Sequence, residues 1–297
     1  MRTLRTESAV LLQIRQWAED REAIRTVILT SSRADPRRTP DRLSDYDIEV
    51  YVNDLAPFLQ DDTCVTAFGS ILVRWPARPQ LTANRDWLEQ LVLFDDGVRI
   101  DFQITAGQPC NRQELDSGYR VIVDKDGLTA QLPPPTYARY AITRPTAAAY
   151  EGRLNAFWWD IVYVAKGLWR GELNYAKYML DGTIRFEKLQ PLLTWYIGVQ
   201  HGWSVDVGIH GRWFHRYLDQ PTWEHYQRTF AAASFESNWQ ALFATLDLVR
   251  YLGHALADAL GFVYPADVDA KVTHYIQEIR QLTGSLTGSA DQHPPAR

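Results

Sequence analysis

Cysteine is nearly absent: Cys64 and Cys110 are the only two in 297 residues. So few thiols exclude a disulfide framework and a thiolate zinc site, and they suit a reducing compartment. Long apolar runs are missing too. None approaches the roughly 20 residues that a membrane-spanning helix needs, and Met1-Arg2-Thr3-Leu4-Arg5-Thr6-Glu7 has no apolar signal core. A soluble, cytoplasmic protein with no membrane partner is expected. Basic excess is also lacking, because the formal net charge is −5. Nucleic-acid binders rely on clustered Lys and Arg against phosphate, so no nucleic-acid partner is expected. The chain contains neither Gly-x-x-x-x-Gly-Lys-Ser/Thr nor His-Glu-x-x-His, which sets aside P-loop and zinc-protease chemistry. His210 and His215 have no cysteine neighbour and not the spacing of a usual metal pair, so they read as packed or solvated side chains.

What is present is a folded-protein composition, 46% apolar and 23% charged, long enough for two domains. Residues 7–19 place Val10, Leu11, Ile14 and Trp17 at helical spacing. Strands are predicted at 24–30, 45–52, 70–75 and 119–123, with a hairpin turning at Asp95-Asp96-Gly97 between 91–94 and 98–104. Pro133-Pro134-Pro135 then reads as an extended connector, since consecutive prolines suit neither helix nor central strand. Beyond it the periodicity is helical. Leu154, Trp158, Ile161, Ala165 and Leu168 form one stripe, and further helices are predicted at 172–181, 185–201, 219–230, 236–260 and 266–282. The pattern is an α+β chain: a mixed sheet with flanking helices over 1–135, an all-α domain over 136–283, and a flexible tail over 284–297.

The chemistry concentrates early. Val27-Ile28-Leu29-Thr30 leads into the small-residue turn Ser31-Ser32-Arg33, and the next strand opens with Asp45-Tyr46-Asp47. Alternation along a strand sends Asp45, Asp47, Glu49 and Tyr51 one way and Tyr46, Ile48, Val50 and Val52 the other. In the hairpin strand, Arg99, Asp101 and Gln103 share a face opposite Val98, Ile100, Phe102 and Ile104. If the two strands are neighbours, Asp45, Asp47 and Asp101 converge. Magnesium favours such oxygen ligands together with substrate phosphates. Two such ions about 4 Å apart can stabilise both the attacking and the leaving oxygen of a phosphoryl displacement. A third carboxylate can complete the site or take a proton. A bare Asp-x-Asp is commonly structural; the serine turn and Asp101 are what point to nucleotidyl transfer.

These motifs resemble the nucleotidyltransferase superfamily, and more closely the aminoglycoside 6-adenylyltransferases, which modify streptomycin. The resemblance runs from about residue 1 to 283. It includes Phe94-Asp95-Asp96-Gly97, Ile100-Asp101, Phe157-Trp158-Trp159, Tyr163-Val164-Ala165-Lys166-Gly167-Leu168, Arg170, Glu172 and Gly261-Phe262-Val263-Tyr264-Pro265. It implies a nucleotidyltransferase-type sheet, with ATP as co-substrate and two Mg²⁺ ions held by Asp45, Asp47 and Asp101. Asp101 would also be the general base. Ser31, Ser32 and Arg33 would cradle the triphosphate, and Lys166 would place a point charge on phosphate. Trp159 would face the ligand, while Asp160 and Glu172 would supply anions for a cationic aminoglycoside. The family's turn begins with Gly where this chain has Ser31, and Tyr196 and Ile209 stand where lysines are usual. Two alternatives stay open: the same chemistry on another small hydroxyl compound, and a nucleotide- or drug-binding protein without catalysis. Oligomeric state is not legible.

Overall fold

The computed structural model describes residues 4–60, 63–81, 87–109 and 113–282. The tail expected over 284–297 and Cys110 lie outside them. The chain divides into two compact units, Met1–Arg139 and Tyr140–Arg297.

The first unit opens with helix α1 (Glu7–Glu19), whose Thr6 hydroxyl accepts the Ala9 N–H and so caps its N-terminus. Strands β1 (Ile24–Thr30) and β2 (Tyr46–Val52) follow, then the short helices α2 (Ala56–Gln60) and α3 (Thr63–Thr66). The remaining strands are β3 (Ile71–Trp75), β4 (Trp87–Phe94), β5 (Arg99–Ala106) and β6 (Arg120–Asp124). They form one mixed sheet in the order β3-β4-β5-β2-β1-β6. The β2–β5 pair is parallel and the other four pairs are antiparallel. The hairpin between β4 and β5 closes where Phe94 N–H donates to Val98 O at 2.8 Å, with Gly97 at φ +90°.

One face of this sheet makes the core. Ile48, Val50, Ile100, Phe102 and Ile104 are buried beneath α1 residues Val10, Ile14 and Trp17. Trp17, Phe68 and Phe102 meet with ring centroids 5.2–5.8 Å apart. Each fully buried side chain of this size is worth about 1.5–3 kcal/mol. A one-residue slip of β2 or β5 would expose the whole set, so the register is firmly fixed. That fixes the opposite face as well. Glu49 and Tyr51 on it are also covered, the Tyr51 hydroxyl donating to Glu49 at 2.5 Å, so the carboxylate face is open only at the strand beginnings.

The connector after the prolines is fastened to this unit. The Asp116 carboxylate accepts from the backbone N–H groups of Thr136, Ala138 and Arg139 at 2.6, 3.2 and 3.2 Å.

The second unit is helical. Its elements are α4 (Ala147–Arg170), α5 (Leu173–Lys177), α6 (Gln190–Gln200), α7 (Phe214–Tyr217), α8 (Gln220–Arg228), α9 (Phe235–Leu260) and α10 (Ala266–Gln281). Thr146 caps α4 through its hydroxyl, and Gly171 ends it at φ +75°. The expected stripe of α4 is buried throughout. One expectation differs in detail. Separate helices were predicted at 172–181 and 185–201, but a π-helical segment, Tyr178–Leu189, joins α5 to α6 without a break. Gly182 lies inside this segment rather than ending a helix.

Candidate active site

The site grows from the ends of three strands. β1 stops at Thr30, and the chain turns through one 3₁₀ turn, Ser31–Arg33. Ser31 adopts φ +58°, the left-handed region that favours glycine, which is what the family's residue here would supply. The serine side chain has its own use, because its hydroxyl donates to Asp47.

Thr30 lies opposite Asp47, and Asp47 lies opposite Asp101 in the parallel β2–β5 register. Asp45 stands one residue outside β2. The strand neighbourhood that the sequence left conditional is therefore real. Burial, followed by the nearby charges of Asp101 and Asp45, pushes the Asp47 carboxyl up to about 6. Burial also raises Asp45, where the charge of Arg99 works in the opposite direction.

Arg99 is the residue that the sequence reading overlooked. Its Nε and Nη2 donate to the two Asp101 oxygens at 2.9 and 2.7 Å, and its Nη1 lies 3.4 Å from Asp45 Oδ2. The alternation that placed Asp101 on the open face placed Arg99 there too, two residues earlier, and that signal was available. Arg99 also lines a cavity of about 580 Å³ with Arg33, Arg42, Glu7 and Asp41, and Asp45, Asp47 and Asp101 are not part of its lining.

Arg33 does not reach out as a phosphate cradle would. Its side chain is 6% exposed and grips the loop leading into β2. It donates to the carbonyls of Asp41, Ser44 and Asp45 at 2.8–3.2 Å, pairs with Glu7 at 2.9 Å, and lies 4.0 Å from the Tyr46 ring centroid. This grip fixes the backbone from which Asp45 projects. Ser32 is half-buried in the same turn.

The donor chemistry fits magnesium. Among the described residues no group of three or more His, Cys, Asp and Glu side chains is placed to hold a metal ion. An open carboxylate edge suits Mg²⁺, which commonly takes one or two carboxylates and completes its shell with phosphates and water. Burial raises Asp47 first, and the negative charge of Asp101 and Asp45 that adds to it is what a divalent ion would relieve.

The other expected site residues belong to the helical unit. Trp159 is 70% exposed. The Lys166 amine lies 5.9 Å from the ring centroids of both Tyr163 and Tyr275. Asp160 is paired with Lys188 at 3.3 Å, and Glu172 is exposed at the start of α5. Tyr196, at one of the family's lysine positions, bonds Asp219 and the Tyr251 hydroxyl, while Ile209 is 64% exposed.

Comparison with known proteins shows the family. The profile of the Streptomycin adenylyltransferase family matches residues 4–279. The aminoglycoside 6-adenylyltransferase of Bacillus subtilis (strain 168) is 30% identical over 93% of this chain and 98% of its own length. The Campylobacter jejuni enzyme of that name is 28% identical, over 94% and 96%. A crystal structure of an aminoglycoside 6-adenyltransferase from Bacillus subtilis is 25% identical, covers 93% of this chain and 99% of that one, and has a TM-score of 0.46. The chain is therefore a nucleotidyltransferase. It belongs to the streptomycin adenylyltransferase family. Among the described residues no helix is long and apolar enough to cross a membrane.

Proposed function

We propose that this enzyme adenylylates an aminoglycoside, transferring AMP from Mg-ATP to a hydroxyl of streptomycin or a related aminocyclitol and releasing pyrophosphate. The observation that carries the reading is the direct pairing of Asp47 with Asp101, beside Asp45, at the open end of the sheet. The relatives' names point the same way.

The carboxylates of Asp45, Asp47 and Asp101 would hold magnesium, which when bound neutralises charge on the triphosphate and on the departing pyrophosphate. The substrate hydroxyl oxygen bonds to the α-phosphorus as the bond to the β-phosphate oxygen breaks, and Asp101 accepts the hydroxyl proton. Ser31 and Ser32 receive the phosphates at the turn, and Arg33 positions Asp45. For the helical unit we retain Lys166 as the phosphate contact and Trp159, Glu172 and Asp160 as the substrate-facing set. Asp160 would have to release Lys188 to serve.

The test is pyrophosphate release from ATP and Mg²⁺ with streptomycin, beside drug-free and kanamycin controls. Streptomycin-dependent release is expected. ATP binding with no release would turn the reading to another hydroxyl compound. Exposed, apolar Ile209 and buried Tyr196, at positions where the resemblance implies lysines, would favour that alternative.

A further inference from the structure

We infer that Arg99 is a place-holding cation: it occupies the carboxylates before magnesium arrives, and exchanges Asp101 and Asp45 for nucleotide phosphate when Mg-ATP binds. This deepens the reading above and rests on it.

The geometry sets up an exchange. Arg99 chelates Asp101 through two donors and reaches Asp45 through a third nitrogen, so one guanidinium touches two of the three carboxylates expected to hold metal. Its side chain remains 42% exposed, so it is not locked by packing. A divalent ion on the same oxygens would both compete for them and repel the guanidinium. The displaced group sits on a strand end facing solvent, beside the cavity it lines with Arg42 and Ser44. An incoming triphosphate is the anion best matched to it, since guanidinium pairs bidentately with phosphate as it does with carboxylate. The negative charge of the cluster is thereby partly offset in both states, by arginine before binding and by metal afterwards.

Two consequences separate this from a purely structural ion pair. Arg99 competes with metal in the free protein, so its removal should tighten metal binding. It assists nucleotide binding, so its removal should weaken ATP. A purely structural ion pair predicts the gain in metal affinity on removal without the loss of ATP affinity.

The experiment measures Mn²⁺ binding to the nucleotide-free protein by titration, for wild type, Arg99→Ala and Arg99→Lys, together with steady-state kinetics in ATP. We expect Arg99→Ala to bind Mn²⁺ about tenfold more tightly than wild type. The KM for ATP should rise at least about tenfold, by more than kcat falls. Arg99→Lys, a point charge that cannot chelate, should lie between in both respects. If Arg99→Ala fails to fold, Arg99→Lys carries the test alone. Mn²⁺ affinity equal to or weaker than wild type in the substituted protein overturns the place-holding role and leaves the proposed reaction standing. Absence of Mn²⁺ binding in every form, with and without ATP, overturns the metal reading and this inference with it.

Discussion

Asp47 on β2 and Asp101 on β5 face each other directly across a parallel strand pair, the one parallel pair in the described sheet. Like charges held this close work against the fold, and the Asp47 carboxyl, raised to about 6, reflects burial first and that proximity second. Asp47→Asn should therefore reduce turnover by at least about 100-fold. In EDTA its melting temperature should equal or exceed that of wild type. Calorimetry beside a pyrophosphate-release assay checks both; lower thermal stability would mean that Asp47 is structural.

Ser31 separates backbone from side-chain effects. A non-glycine residue in the left-handed region costs about 1–2 kcal/mol, and the hydroxyl on Asp47 offsets part of it. Ser31→Ala keeps the strain and loses the bond, whereas Ser31→Gly loses both. The glycine variant should be more stable than the alanine variant by about 1 kcal/mol in urea titration. The reverse order would show that Ser31 is not held in this conformation in solution.

In the helical unit, Asp269 accepts from Arg250 at 2.6 and 2.8 Å and from the Tyr264 and Thr273 hydroxyls at 2.9 Å each. Burial alone would raise its carboxyl; the bonds from Arg250, Tyr264 and Thr273 outweigh burial and hold it below the ordinary range. A lowered carboxylate contributes its stability above the unfolded value near 3.9 and loses it as pH falls through the folded one. Asp269→Asn should cost about 2 kcal/mol at pH 7. That gap should stay level down to about pH 5 and narrow below about pH 4. Denaturant titration across pH tests it, and a gap that closes between pH 7 and 5 would contradict the assignment.

Gly253 is packed against Tyr264: an added Cβ would meet two of its ring carbons at 2.4 and 2.7 Å. The ring has little room to retreat, with His254 4.1 Å away and its hydroxyl on Asp269. Gly253→Ala should destabilise by about 2 kcal/mol. Combined with Asp269→Asn, the loss should be smaller than the sum, because both substitutions act through Tyr264. Full additivity would show that Tyr264 does not link the two positions.

The sheet was legible because its register rests on period-two burial. β1 begins at Ile24 and ends at Thr30 as expected, and Asp45, Asp47 and Asp101 fall on the open face that their alternation required. What eluded the sequence were relationships set by side-chain reach. Arg33 spends its donors on loop carbonyls, which leave no pattern in residue types. Arg99 was visible as a neighbour of Asp101, but its two-point grip depends on a rotamer. Asp160 read as a free anion because Lys188 lies on a separate stretch of helix. The break expected between 181 and 185 is absent for a different reason: a π-helical segment, Tyr178–Leu189, carries the chain through Gly182.

Asp116 does for the connector what a capping residue does for a helix, collecting backbone donors that would otherwise point at water. A polypeptide ended at Pro135 would discard Thr136, Ala138 and Arg139 together and leave that carboxylate without their N–H groups. Dissection of the enzyme into separately produced halves should accordingly cut after Arg139, keeping the clasp and its catch in one piece.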